Sequence, residues 1–225
     1  MSRGKTAIRR SSRVADGKDI RLDAKLQPTQ ARAQDTYGVI LATAGAMLGD
    51  MGFEQLTTNA ICKRAGLTPP ALYRYFPNKY AILKELGERL MAAQDDEVLV
   101  WLETGGLDGA TVEERAAKSM AINRRMVEIT RDFPGGAAIG RALRAVPMLQ
   151  QLRFESRDMV AERFFTALRP RYPNTPEARL RVAMRMVVEL NYAATEMVVE
   201  EPDRDSETLL QEVCLLFGLY FDRFD

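Results

Sequence analysis

Apolar residues along this chain recur at intervals of three and four, the period of an amphipathic helix, and no stretch shows the strict alternation of a half-buried strand. The first stripe spans residues 32–50 through Val39, Ile40, Thr43 with Ala44, Met47 and Leu48, and Gly49 and Gly52 mark its end. Thr57 or Thr58 can cap a short helix, TTNAICKRA, because either hydroxyl can accept from the free backbone N–H groups of a first turn. Gly66 stops that helix by offering the left-handed conformation a helix end commonly needs. Leu67 fills the gap, Thr68 caps the next helix, and Pro69 takes its first turn, where a missing N–H costs nothing. Two short helices joined by a tight turn have the anatomy of a helix–turn–helix.

Past Pro77 the pattern predicts one long helix over residues 78–103, with Ile82, Leu83, Leu86, Leu90 and Ala93 on one face and Gly105, Gly106 and Gly109 closing it. Thr111 caps a further helix to about residue 132, and the run Phe133, Pro134, Gly135, Gly136 stops it. A short helical piece reaches Val146, Pro147 opens a long one through Leu168, and the last two helices cover residues 177–200 and 206–224. The class is therefore all-α, with about nine helices: an N-terminal helix–turn–helix domain and a larger C-terminal helical domain. The divisions fall at residues 1–31, a flexible basic arm, 32–78, the helix–turn–helix, and 79–225, the larger helical domain.

Composition narrows the chemistry. The chain holds no histidine, which removes the usual general base, the commonest zinc ligand and every nucleophile arrangement that depends on an imidazole. Adjacent carboxylates such as Asp95 with Asp96, or Glu113 with Glu114, point to different helix faces, and no glycine-rich phosphate loop is present. The expectation is a protein that is not an enzyme, with no catalytic residues, metal or cofactor. Cys62 and Cys214 sit inside apolar helical patterns and read as packed, reduced thiols. Charge interrupts every apolar run before the roughly 18 to 20 residues a bilayer demands, so no membrane partner is expected and the location read is cytoplasmic. The net charge of +1 conceals +7 over residues 1–90 and −6 over residues 91–225, and a basic front suggests a polyanion as partner.

The stretch GFEQLTTNAICKRAGLTPPALYRYFPNKYAILKEL, residues 52–86, resembles the N-terminal domain of the tetracycline-repressor (TetR) family of bacterial transcriptional regulators. Glycine turn, hydroxyl cap, Leu–Tyr pair, aromatic and following lysine all fall at the family's spacing. The resemblance implies that Thr68 opens a recognition helix, residues 68–76, lying in the major groove of a double-stranded DNA operator. It places Asn59, Pro69, Pro70, Ala71 and Tyr73 where members touch bases, and Thr57, Thr58, Tyr73, Tyr75 and Lys79 where they touch phosphates. Hydroxyls and a lysine at helix N-termini suit phosphate oxygens, and Pro69, Pro70 and Ala71 suit a thymine methyl. Pro70 stands where a glycine is frequent and Tyr75 where a histidine is, so base preference does not carry over. Leu72 and Phe76 read as core.

One recognition helix reads few base pairs, so such proteins dimerise. Apolar stripes on the last two helices, including Met186, Leu190 and Met197 on one and Leu210, Val213 and Phe217 on the other, read as a homodimer interface of four helices. The resemblance implies a cavity for a small-molecule effector in the middle helices, where Trp101, Met120, Met126, Phe133, Met148, Phe154, Met159 and Phe164 are the candidate lining and Arg124, Arg125, Arg141, Arg144 and Arg153 are candidate partners for an acidic effector. The function read is a ligand-responsive repressor acting as a homodimer on a palindromic operator. The alternative is a helical protein–protein interaction module that keeps the helix–turn–helix scaffold without operator binding.

Overall fold

The computed structural model describes residues 20–26 and 31–224. Its elements are α1 (Ala31–Gln55), α2 (Thr58–Ala65), α3 (Pro69–Tyr73), α4 (Lys79–Glu103), α5 (Val112–Asp132), α6 (Gly136–Ala145), α7 (Gln150–Leu168), α8 (Glu177–Glu200) and α9 (Ser206–Asp222). A 3₁₀ turn, Pro147–Leu149, leads into α7, and no strand occurs among the described residues. α1 is interrupted at Gly52, whose φ of 75° and ψ of 172° turn the chain before its final residues.

The helix starts follow the capping chemistry. Thr57 Oγ1 accepts from Ala60 N at 3.1 Å, Asn78 Oδ1 from Ala81 N at 2.9 Å, Thr111 Oγ1 from Glu114 N at 3.2 Å and Asp205 Oδ1 from Thr208 N at 3.1 Å. Each such cap is worth about 1 kcal/mol. Thr68 departs from the pattern and makes no side-chain cap bond. Pro69 and Pro70 remove the first two donors, and the next two, Ala71 N and Leu72 N, already reach the Thr68 carbonyl at 3.0 and 3.3 Å. Its hydroxyl is left on the exposed side of the turn.

Burial gathers the N-terminal helices around Tyr37, Ile40, Leu48, Leu56, Leu72 and Phe76, with Ile82, Leu83 and Leu86 from the first half of α4. Ile139 and Leu143 of α6 complete that same core. α1 approaches the turn between α5 and α6 so closely that a Cβ on Gly45 would lie 2.5 Å from the Pro134 carbonyl oxygen, and one on Gly135, whose φ is 75°, would lie 2.1 Å from the Gly45 oxygen. Only residues without side chains permit this approach. A second core joins α4, α5, α7, α8 and α9 through Val98, Met126, Phe164, Phe165, Leu180, Val188 and Phe217.

Candidate nucleic-acid interface and ligand cavity

α2 and α3 meet across the Gly66 turn, where φ is 66° and the Gly66 N–H returns to the Cys62 carbonyl. Ile61, Cys62 and Leu72 are buried, so the opposite side is displayed. That side carries Thr57, Asn59, Thr68, Pro69, Pro70 and Tyr73 exposed, with Thr58 and Ala71 half-buried. Tyr73 Oη and Thr58 Oγ1 are 2.9 Å apart, and this hydrogen bond ties α3 to the first turn of α2. Lys63, one turn beyond Asn59, and Arg74, at the end of α3, add exposed cations beside the same helices; neither is among the expected DNA contacts, although residue 63 follows from the i, i+4 rule.

Two expected phosphate contacts sit elsewhere. Tyr75 is only 4% exposed and packs edge-on against Tyr37, with ring centroids 5.8 Å apart, so its ring belongs to the core and not to the exposed face of α2 and α3. α3 ends at Tyr73, and the chain then turns Tyr75 and Phe76 inward. Lys79 is half-buried: its ammonium donates to the carbonyls of Phe53 at 2.9 Å and Glu54 at 3.4 Å and lies 4.3 Å from the centre of the Phe53 ring. It closes the end of α1, where cations complement the unsatisfied carbonyls.

Residues 20–26, which sequence reading assigns to the arm, run along this domain. Lys25 donates its backbone N–H to the Tyr75 carbonyl at 2.7 Å and its ammonium to the Tyr73 carbonyl at 3.0 Å, while Asn78 Nδ2 donates to the Arg21 carbonyl at 2.8 Å. Lys84 pairs with Asp23 at 3.1 Å. The end of α3 and the start of α4 are thereby held by one strap. Arg3 to Arg13 lie outside the described residues.

A cavity of about 60 Å³ lies among α4, α5, α7, α8 and α9. Of the eight side chains expected to line one, Trp101, Met126 and Phe164 do so. The other five do not: Met120 packs with Leu210 and Cys214, Phe133 and Met148 join the N-terminal core, Phe154 is 42% exposed, and Met159 lies at the margin of the second core. Apolar character marks a buried face, and α5 and α7 each bury more than one. Sequence reading missed Val98, Val187, Val188, Tyr192 and the polar Asn123, whose place within an apolar stripe was the available signal.

Beyond Tyr192, Gln94 and Thr195, which the two spaces share, is a polar cleft containing Arg144, Arg153, Arg157, Glu196 and Glu200. Its cations already face carboxylates: Arg144 pairs with Glu196 at 2.8 Å and with Glu200, and Arg157 with Glu189 and with Glu196 at 3.4 Å. Arg124 pairs likewise with Glu207, and Arg125 with Glu97 and Glu128. Asp95 lies close by, 7% exposed, accepting from Ser156 Oγ at 2.9 Å and Tyr192 Oη at 3.1 Å. Burial pushes its carboxyl up to about 6, more than the two hydroxyls lower it.

The outer surface of α8 and α9 is apolar. Val182, Met186, Leu190, Leu216 and Leu219 are each at least 40% exposed, and Met186, Leu190, Leu216 and Leu219 border a groove of about 380 Å³. Met197 is exposed outside the groove and Val213 is half-buried. Leu210 and Phe217 are corrections: at 3% and 4% exposure they point into the subunit, although Phe217 also reaches the groove floor. α9 is apolar nearly all round, so its inward row of Leu210, Cys214, Phe217 and Phe221 and its outward Leu216 and Leu219 look alike in sequence.

Residues 40–86 match the family model described as bacterial regulatory proteins, tetR family. The chain is similar to the tetracycline repressor protein class C of Escherichia coli, 42% identical over 52 residues, 23% of this chain and 24% of that protein. It is also similar to the HTH-type transcriptional regulator EthR of Mycolicibacterium smegmatis, 31% identical over 108 residues, 48% of this chain and 46% of that protein. The matched stretch thus spans between a quarter and a half of these curated relatives. The fold is shared with a tetR-family transcriptional regulator from Streptomyces coelicolor at a TM-score of 0.61 and 16% identity, covering 84% of each chain.

Proposed function

From the premise that this chain belongs to the TetR family of bacterial regulatory proteins and carries its DNA-binding helix–turn–helix, we propose that it is a ligand-responsive repressor that binds a palindromic operator as a homodimer. The observation that carries the reading is the exposed face of α2 and α3, where Thr57, Asn59, Thr68, Pro69, Pro70 and Tyr73 stand together on two short helices. Hydroxyls there suit phosphate oxygens, and the prolines and Ala71 suit base edges and thymine methyls in the major groove. Tyr73 has two roles in this reading, touching DNA and joining α3 to Thr58.

Two recognition helices about 34–36 Å apart require a dimer, and the groove beside Met186, Leu190, Leu216 and Leu219 supports α8 and α9 as the surface that a second copy covers. Signal passes along α4. Its C-terminal half contributes Gln94, Val98 and Trp101 to the cavity, and its N-terminus is capped by Asn78, which also holds the strap. From residue 79 to residue 98 is roughly 28 Å of helix, so a tilt of about 5° at the cavity end moves the other by roughly 2 Å. A ligand that binds the tilted state more tightly than the DNA-binding state lowers operator affinity by that ratio.

The test is to capture fragments of the source genome on the purified protein at near-physiological salt, then measure affinity for the enriched site against salt concentration. A palindromic site whose binding weakens steeply with salt is expected. Tyr73→Ala should lower that affinity tenfold or more while leaving the dimer intact. Absence of enrichment, both with and without added cell extract, would overturn the reading.

A further inference from the structure

The wall of the cavity contains no aspartate, glutamate, lysine or arginine among the described residues. It is built mainly from Trp101, Ile122, Met126, Phe164, Val188 and Phe217, with a few amides and hydroxyls. A charged ligand entering it would surrender its hydration without meeting a counter-charge. In the neighbouring cleft Arg144 and Arg157 are already engaged by Glu189, Glu196 and Glu200, and Arg153, 3.9 Å from Glu196, borders the cleft and not the cavity.

Three polar side chains on the wall donate to groups within the protein. Gln94 Nε2 donates to Thr130 Oγ1 at 2.8 Å, Asn191 Nδ2 to the Val187 carbonyl at 2.8 Å, and Tyr192 Oη to Asp95. Asn123 also donates but differs in its burial. It is 1% exposed, and its Nδ2 donates to the Ser119 carbonyl at 2.9 Å and to Cys214 Sγ at 3.6 Å. Those two acceptors fix the amide orientation, since a flipped group would set oxygen against the Ser119 carbonyl. Asn123 Oδ1 is then a buried acceptor without a hydrogen-bond partner. Such a group is costly to leave open and seeks a donor.

We propose that the cavity takes an uncharged, mainly apolar small molecule bearing one hydroxyl or N–H group, which donates to Asn123 Oδ1. The assignment names the chemical class of the effector and rests on the proposed function only for its regulatory meaning. The apolar body packs beside Trp101 and Phe164, whose tilted rings already touch with centroids 6.0 Å apart, and the single donor fixes its orientation.

Three compounds with one ring system separate the terms: 1-naphthol carries a donor, naphthalene carries none, and 1-naphthoate carries a charge. Their dissociation constants for the DNA-free full chain, from equilibrium dialysis with calorimetry, should rank 1-naphthol about tenfold or more tighter than naphthalene, with 1-naphthoate weakest. Asn123→Leu should abolish the preference for 1-naphthol over naphthalene without weakening naphthalene. The wild-type ranking stands as a test even if that variant fails to fold. Equal binding of 1-naphthol and naphthalene, tightest binding of 1-naphthoate, no binding of any of the three, or a preference that survives Asn123→Leu would each overturn the assignment and leave operator binding untouched. Tight 1-naphthol binding that does not alter operator affinity would uphold the assignment and overturn ligand responsiveness instead.

Discussion

Replacing Asp95 by asparagine should make the protein more stable at neutral pH, although it removes a carboxylate with two hydrogen bonds. Asp95 is buried, and its partners Ser156 and Tyr192 are neutral hydroxyls that can also donate to an amide oxygen. Burial is the largest influence on its carboxyl, the hydroxyls oppose it, and the charge of Asp96 adds to it. The folded value, about 6, stands above the ordinary 3.8. The folded state therefore holds the proton more tightly, so this group's contribution to stability is greatest when protonated and declines as pH rises from about 4 to about 6. At about 1.4 kcal/mol per tenfold change in proton affinity, the loss reaches about 3 kcal/mol above pH 6. Urea unfolding of wild type and Asp95→Asn at matched protein concentration from pH 4 to 8 measures it, and subtraction removes slopes from carboxylates common to both, such as the Asp205 cap, whose carboxyl is lowered by its bonds to Thr208. The variant should gain up to about 3 kcal/mol at pH 7 to 8 and converge on wild type near pH 4. A variant less stable at every pH, or a difference that stays flat with pH, would refute the reasoning.

Gly45→Val should lower the melting temperature, because its side chain meets the Pro134 backbone and not a side chain that can swing away; the cost is about 1–3 kcal/mol, read by differential scanning calorimetry. Leu216→Glu with Leu219→Glu should yield monomers in sedimentation velocity, whereas Leu210→Ala should cost about 2–5 kcal/mol of stability and leave the mass of the assembly unchanged. Tyr75→Phe keeps the packed ring and should leave operator affinity within about twofold in a titration at fixed salt, which separates it from Tyr73→Ala. Lys79→Met should lower stability through the lost bonds to Phe53 and Glu54 before any effect on DNA is considered.

The helix order and several boundaries were legible because local chemistry sets them. Thr57, Gly66, Asn78 and Thr111 act within one turn of their own position, and a capping hydroxyl or left-handed glycine does the same work in any fold. The cavity was harder to read because its walls come from five helices, and no periodicity tells which buried face meets which neighbour. Met120 and Met126 lie on one helix, yet Met126 reaches the cavity and Met120 packs beneath α9. Tyr75 misled for a related reason: α3 is one turn shorter than the motif suggests, and the chain after Tyr73 rotates the next two aromatics inward. Phe217 and Leu216 show the limit most plainly, being adjacent, both apolar, and opposite in destination.

The meeting of α1 with the turn at Pro134 and Gly135 is a contact of two main chains, with no side chain between them at Gly45. Most interfaces between packed helices can absorb a small displacement by letting a leucine or methionine change rotamer, so motion on one side fades before it reaches the other. Here there is no rotamer to change. A shift of the α5–α6 turn is passed to α1 undiminished or opens the contact altogether, which makes this point a rigid link in an otherwise compliant interface.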